Sequence, residues 1–174
     1  MILSPDYFKS RNTVKIAKSL LGKVLARRFP NGKVKAYMIT EVEAYDGFKD
    51  KASHARRGKT ERNKIMFGEA SHWYVYFTYG MHWMLNMVTG PKEYPAAILI
   101  RKIEGVKGPA RLTKLLKIDK RLNGKPANKK FGLWIEINPA LRRGLKIKSA
   151  PRIGVAYAGP VWSREKYRFY LERN

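Results

Sequence analysis

The sequence predicts one α+β domain spanning residues 1–174, and three observations carry that expectation. Short apolar runs with strand-like alternation recur along the chain, several set in hairpins around Gly-containing turns. Only two segments carry helical spacing together with helix end signals. A hydrophobic content of 44% over 174 residues is enough for one buried core and too much for a disordered chain. Paired strands with a few helices among them are the pattern of an α+β fold.

The elements follow in order. Asn12 or Thr13 caps a helix running to about Leu21, with Val14, Ile16, Ala17, Leu20 and Leu21 on its apolar side and Gly22 as its stop. Residues 23–29 read as a strand, Pro30-Asn31-Gly32-Lys33 as an Asn-Gly hairpin turn, and 34–45 as the return strand. Residues 46–68 form a polar, basic loop region. Strands 73–78 and 82–88 make a second hairpin around Tyr79-Gly80-Met81, and 96–103 is another strand. Gly108-Pro109 opens a basic helix to about Lys117, with proline at a favourable first-turn position. Residues 119–130 are loop, 133–137, 145–148 and 152–157 short strands, and 167–171 a last aromatic strand. No internal repeat or low-complexity linker interrupts the series.

Charge narrows the partners. Lys and Arg number 37 against 13 Asp and Glu, a net charge of +24. Such a field attracts polyanions and predicts salt-sensitive binding; the plainer readings are a ribosomal protein or a solvated basic surface. The apolar runs are too short to span a bilayer and no signal peptide is visible at Met1-Ile2-Leu3, so the expected location is the cytoplasm. Without long amphipathic basic helices, a membrane-surface role is disfavoured. There is no Cys, hence no disulfide framework or zinc ribbon, and the spacing of His54, His72 and His82 matches no common metal motif. No metal or other cofactor is expected.

Two segments concentrate the chemistry, Ile39 to His54 and Trp73 to Asn86. On an extended strand Glu41, Glu43 and Tyr45 share one face. A general base needs a carboxylate close to its water, its ionised form supported by a cation or hydrogen bonds, and Glu43 beside Tyr45 is the candidate. Periodicity alone favours the plainer reading: a solvated sheet face, or ion pairs with the many Lys and Arg. Arg101, on the apolar strand 96–103, is a possible partner for Glu43, as catalytic support or as a structural ion pair. Tyr74, Tyr76 and Thr78 share a face, and aromatic faces hold a nucleobase by stacking; Val75 and Phe77 read as core. Tyr79-Gly80-Met81 places two bulky side chains at a hairpin tip. They serve either as a wedge between base pairs or as packing beneath a neighbouring loop. Asn86 on its apolar strand needs partners, a base edge or a backbone group. His54 stacks on a base or is an ordinary loop residue.

Taken together, these segments resemble the alkyladenine (3-methyladenine, methylpurine) DNA glycosylase family. The ordered match includes Glu41-Val42-Glu43-Ala44-Tyr45, Ala52-Ser53-His54, Arg62-Asn63 with Met66-Phe67, and Tyr74-Val75-Tyr76 with Tyr79-Gly80-Met81 and Asn86. It continues through Leu99-Ile100-Arg101, Gly108-Pro109-Ala110-Arg111-Leu112, Arg152-Ile153-Gly154-Val155 with Ala158-Gly159, and Arg168-Phe169-Tyr170. Two departures stand out. His82 follows Met81 where an aromatic is expected, and Pro160-Val161-Trp162 interrupts a Gly-Glu-Trp pattern.

The resemblance implies a single domain with a curved antiparallel sheet. The implied activity is flipping a damaged purine out of duplex DNA and hydrolysing its N-glycosidic bond without metal or lysine Schiff base. Glu43 would be the general base, with Arg101 and the Ile153 backbone carbonyl helping to hold its water. Tyr45, His54 and Tyr76 would sandwich and contact the base, and the backbone around Ala52 and His54 would read its edge. Asn86 would crowd out normal guanine. Tyr79 would fill the gap left in the duplex, with Met81 beside it. The expected partner is double-stranded DNA carrying a damaged purine, bound by a monomer on chromosomal DNA. A basic nucleic-acid-binding protein without catalysis is the rival.

Overall fold

The computed structural model describes residues 1–141 and 144–172. Asn12 caps helix α1 (Thr13–Leu20), its side-chain oxygen accepting the Lys15 amide at 2.9 Å. Gly22, at φ 84°, then turns the chain into β1 (Val24–Arg28). The turn after β1 closes with the Phe29 amide on the Lys33 carbonyl and Gly32 at φ 79°. Only Gly32 takes the left-handed position, so the loop is one residue longer than a two-residue Asn-Gly turn.

Strand β2 (Val34–Asp46) organises the sheet. Its first half pairs with β1; its second half lies between β5 (Ala96–Ile103) and β8 (Arg168–Leu171). β3 (Trp73–Thr78) and β4 (His82–Val88) form the predicted second hairpin, which joins the sheet through β4 against β5. β6 (Leu133–Glu136) extends the sheet beyond β1, and β7 (Ile147–Ala150) pairs with β8. Every pairing is antiparallel, in the order β3-β4-β5-β2-β1-β6 with β8 and β7 branching from β2. The sheet curls into a half-barrel, giving the α+β fold the sequence predicts.

Alternation decides which side of this sheet is core. The ladders align Tyr74, Asn86, Leu99 and Glu43 in one row across four strands. Directly opposed residues point to the same face, so these four share it with Tyr76, Met84, Ala97 and Tyr45. Their neighbours Trp73, Val75, Leu85, Met87, Ile98, Ile100, Val42 and Ala44 point the other way into the main core. There α1 packs on β2 and β5, and α2 (Pro109–Leu115) packs on β4 and β5. One face is therefore closed by helices, and the other is left to a cavity.

Three regions differ from the sequence reading. Residues 152–157 are not a strand. They form a loop entering a 3₁₀ turn, Ala156–Ala158, followed by the short helix α3 (Gly159–Trp162). Gly154 at φ 75° and Gly159 at φ 80° break the extended conformation a strand would need. β7 starts at Ile147 rather than 145. The loop 46–68 gains two 3₁₀ turns, His54–Arg57 and Lys64–Phe67. Among the described residues no helix is long and apolar enough to cross a membrane.

Candidate active site

The free sheet face forms the wall of a cavity of about 310 Å³, within the size range of small-ligand sites. Strands supply Glu43, Tyr45, Tyr74, Tyr76, Met84, Asn86, Ala97, Leu99 and Arg101; loops supply His54, Met66, Ile153–Val155 and Tyr157. Asn63 knots the covering loop. Its Nδ2 donates to the carbonyls of His54 (3.0 Å) and Gly58 (2.9 Å), and its Oδ1 accepts the Thr60 amide at 2.7 Å. A buried ion pair holds that loop to the segment after β7. Arg152 and Asp50 are bidentate at 2.5 and 2.9 Å, and Arg152 also donates to the Ala44 carbonyl at 2.8 Å.

Both strand carboxylates are buried, which corrects the solvated face that periodicity favoured. Glu43 is 0% exposed. Its Oε1 accepts the Ile153 amide at 2.8 Å and faces Arg101 Nη1 at 3.4 Å; its Oε2 accepts the Tyr45 hydroxyl at 2.8 Å. A carboxylate offers about four acceptor positions, so the two hydrogen bonds from Ile153 and Tyr45, with Arg101 as an ion pair beside Oε1, leave acceptor capacity on Oε2. Burial raises the Glu43 pKa above its ordinary value, opposed by the Arg101 charge and by the Ile153 and Tyr45 hydrogen bonds. The Ile153 contact recorded here is through its amide; the resemblance had assigned a role to its carbonyl.

Arg101 reaches both carboxylates because the β2–β5 ladder is irregular. Register shifts flank Glu41, leaving Thr40 and Arg101 without ladder partners. Such bulges re-aim side chains. The freed guanidinium donates to Glu41 Oε1 at 3.1 Å while facing Glu43. Glu41 also pairs with Lys102 and, at 3.4 Å, with Arg168. Burial pushes the Glu41 pKa up, but Lys102 and Arg101 outweigh it and the net shift is down. The two glutamates thus diverge: Glu41 is locked in an ion network, and Glu43 borders the cavity.

The aromatic walls are equally constrained. His54 Nδ1 and the Tyr74 hydroxyl lie 3.0 Å apart, and the His54 and Tyr76 rings meet edge-on with centroids at 4.7 Å. Burial, then the charges of Arg62 and Arg56, lower the His54 pKa to about 4, so its imidazole is neutral at physiological pH. Burial raises the Tyr45 and Tyr76 hydroxyls above their ordinary value and takes Tyr74 to about 12. Asn86 is buried and donates Nδ2 to the Tyr74 carbonyl at 3.1 Å.

Of the residues singled out from sequence, Glu43, Arg101, Tyr45, His54, Tyr76, Asn86, Ile153 and Tyr79 border the cavity. Ala52 does not. It is fully buried, its amide held by Asp50 at 3.0 Å and its carbonyl by the Tyr157 hydroxyl at 2.7 Å. Met81 also stands off the cavity, at the hairpin tip. Tyr79 is 80% exposed and Met81 66%, so the tip packs under no loop. Tyr79 and Gly80 both have positive φ, 52° and 65°, the backbone signature of a type I′ turn. An aromatic held there adds nothing to the core. Sequence reading missed Tyr157, Asp50 and Arg152 as parts of the site; Tyr157 lay inside a segment read as strand, and nothing local marks the ion pair.

Fold and site together define a basic α+β protein with an aromatic cavity, a buried carboxylate beside it and a bare aromatic hairpin tip at its edge. Comparison with known proteins makes the class specific. The model of the methylpurine-DNA glycosylase family matches residues 7–107 and 104–174. A protein of Methanocella arvoryzae provisionally named 3-methyladenine DNA glycosylase is 42% identical over 98% of this chain and 92% of its own. Proteins with the same provisional name from Anaeromyxobacter dehalogenans (41% identical, 96% of this chain, 82% of theirs) and Streptomyces avermitilis (37%, 100% and 92%) are similar throughout. The chain belongs to the methylpurine-DNA glycosylase family.

Proposed function

We propose that the chain is a single glycosylase domain that removes alkylated or deaminated purines from duplex DNA in base-excision repair. The expected bases are 3-methyladenine and 7-methylguanine, with hypoxanthine a further candidate. The observation that carries the reading is Glu43, a buried carboxylate held by two hydrogen bonds and the Arg101 charge, with acceptor capacity left on Oε2, beside an aromatic cavity.

In this reading the damaged nucleotide turns out of the helix and its base enters between Tyr45 and the Tyr76–His54 pair. A water on the remaining Glu43 position attacks C1′ of the sugar and gives its proton to Glu43 as the C1′–N bond breaks. The bonding electrons leave with the base. An N-alkylated purine carries positive charge and departs neutral; neutral hypoxanthine must take up a proton. Arg101 favours the ionised form of Glu43 against the effect of burial and, with the Ile153 carbonyl, orients the water. Asn86 opposes the exocyclic amine of guanine. His54 reads the base edge through its backbone; the same role for Ala52 requires the Tyr157 hydroxyl to leave its carbonyl. Tyr79 fills the vacated stack, with Met81 beside it. Among the described residues no lysine lines the cavity, which favours direct hydrolysis by a monofunctional enzyme. The protein is taken to act as a monomer on chromosomal DNA in the cytoplasm.

Incubation with a duplex containing one hypoxanthine or 3-methyladenine, followed by alkali, tests this. Strand cleavage at the lesion is expected, with no adduct trapped by borohydride. Binding without cleavage would favour a nucleic-acid-binding protein that lacks catalysis.

A further inference from the structure

Three aromatic rings of the cavity each carry a guanidinium against them. Arg152 lies 4.8 Å from the Tyr45 centroid, Arg62 5.0 Å from Tyr76, and Arg56 4.7 Å from Tyr157. None of the three arginines borders the cavity itself. They differ in how their charge is balanced. Arg152 is cancelled by Asp50, both fully buried. Arg62 is exposed, and its Nη2 donates to the neutral carbonyl of Phe77 at 3.2 Å. Among the described residues no carboxylate pairs with it; its neighbour Glu61 is held by Lys64 at 2.7 Å. An unbalanced cation therefore stands against Tyr76 without lining the cavity.

The consequence is electrostatic. An aromatic face attracts a cation through the ring quadrupole. A guanidinium already resting on the ring draws that density to itself and repels a second positive charge beyond it. A neutral base in the cavity stacks on the same ring without that repulsion. We propose that Arg62 is a specificity-determining residue that weakens the cavity's hold on cationic N-alkylated purines relative to neutral purines such as hypoxanthine. This rests on the glycosylase reading above.

For a base stacked on the face of Tyr76 away from Arg62, adding a van der Waals contact to the observed ring distance puts the two charges roughly 8–9 Å apart. Coulomb's law between effective dielectrics of about 20 and 80 then gives a discrimination of about 2- to 30-fold. A second observation points the same way: after burial, the Arg62 charge is the largest influence holding the His54 imidazole neutral, so its field already reaches the cavity wall. The groups facing that imidazole are Tyr74, Tyr76, Arg56 and Arg62.

The test compares Arg62, Arg62→Gln and Arg62→Lys on duplexes carrying 7-methylguanine or hypoxanthine in one sequence context. Because hypoxanthine gains its proton only on the way to the transition state, the readout is equilibrium affinity measured in a Glu43→Gln background. Arg62→Gln should raise the ratio of affinities for 7-methylguanine over hypoxanthine by about 2- to 30-fold, and Arg62→Lys should stay near the ratio given by Arg62 itself. Equal loss on both substrates, or the same shift in both variants, would overturn the proposal and leave Arg62 a structural tether. Titration of the His54 imidazole by NMR needs no substrate. It should move up in Arg62→Gln and stay in place in Arg62→Lys; an unmoved titration in Arg62→Gln overturns the electrostatic argument. If wild type excises neither base, the glycosylase reading fails, while the titration still decides whether the charge of Arg62 reaches the cavity.

Discussion

Replacing Asp50 with Asn leaves the Arg152 guanidinium buried without its counter-charge. The pair is bidentate and fully buried, and Asp50 additionally accepts the amides of Asp46 and Ala52, each at 3.0 Å. Breaking a buried pair by removing one partner costs about 3–5 kcal/mol. Arg152 would keep the Ala44 carbonyl and the faces of Tyr45 and Tyr167, at 4.8 and 5.3 Å. Each such face is worth about 0.5–2 kcal/mol, which places the expected loss at the lower end, about 3 kcal/mol. For a domain of this size that lowers Tm by about 6–12 °C. Urea titration followed by tryptophan fluorescence, with thermal melts alongside, reads both quantities. Adding Arg152→Met to Asp50→Asn should recover much of the loss, because an apolar side chain leaves no charge stranded. A loss below about 1 kcal/mol, the range of exposed pairs, would refute the claim that this pair staples the covering loop to the segment after β7.

The remaining predictions concern pH and the hairpin. Burial raises the Glu43 pKa above 4.5, so between 4.5 and its folded value the native state holds more protons than the unfolded chain. Stability therefore falls as pH rises through that window, and Glu43→Gln should melt at or above wild type at pH 7.5. The net shift of Glu41 is downward, so its contribution is present above 4.5 and lost as pH falls; Glu41→Gln should melt lower than wild type. The excision rate should rise with pH through the Glu43 window, as the base ionises. Tyr79→Ser should leave Tm unchanged, since that ring is 80% exposed. It should slow excision from duplex more than from single-stranded DNA, where no stack has to be held open; an unchanged duplex-to-single-strand ratio would count against the wedge.

Much of the fold was legible because hairpin strands announce themselves locally. β3, β4 and β5 were read with their ends intact, from alternation around Tyr79-Gly80-Met81 and an apolar run. The segment 152–157 misled because its apolar residues imitate a strand, whereas Gly154 bends it past Glu43. Periodicity could not show that Glu41 and Glu43 are buried. Their donors come from a register irregularity at Arg101 and from Ile153, 110 residues away. The Asp50–Arg152 pair, 102 residues apart, was invisible for the same reason. Candidate roles for Glu43, Tyr76 and Asn86 followed from residue type but stood beside plainer alternatives; the resemblance chose among them and gave Tyr45 its contact with the base, and the cavity brings these four together.

The most direct measurement is single-turnover excision by Glu43→Gln on a duplex bearing one hypoxanthine or 3-methyladenine, beside binding of the same variant to an abasic-site duplex. Loss of a general base should slow excision by about 10²–10⁴-fold, while abasic-site affinity stays near wild type because the cavity walls and the Tyr79 tip are untouched. Excision at close to the wild-type rate would contradict Glu43 as the base and move attention to Glu41, the other carboxylate within reach of Arg101.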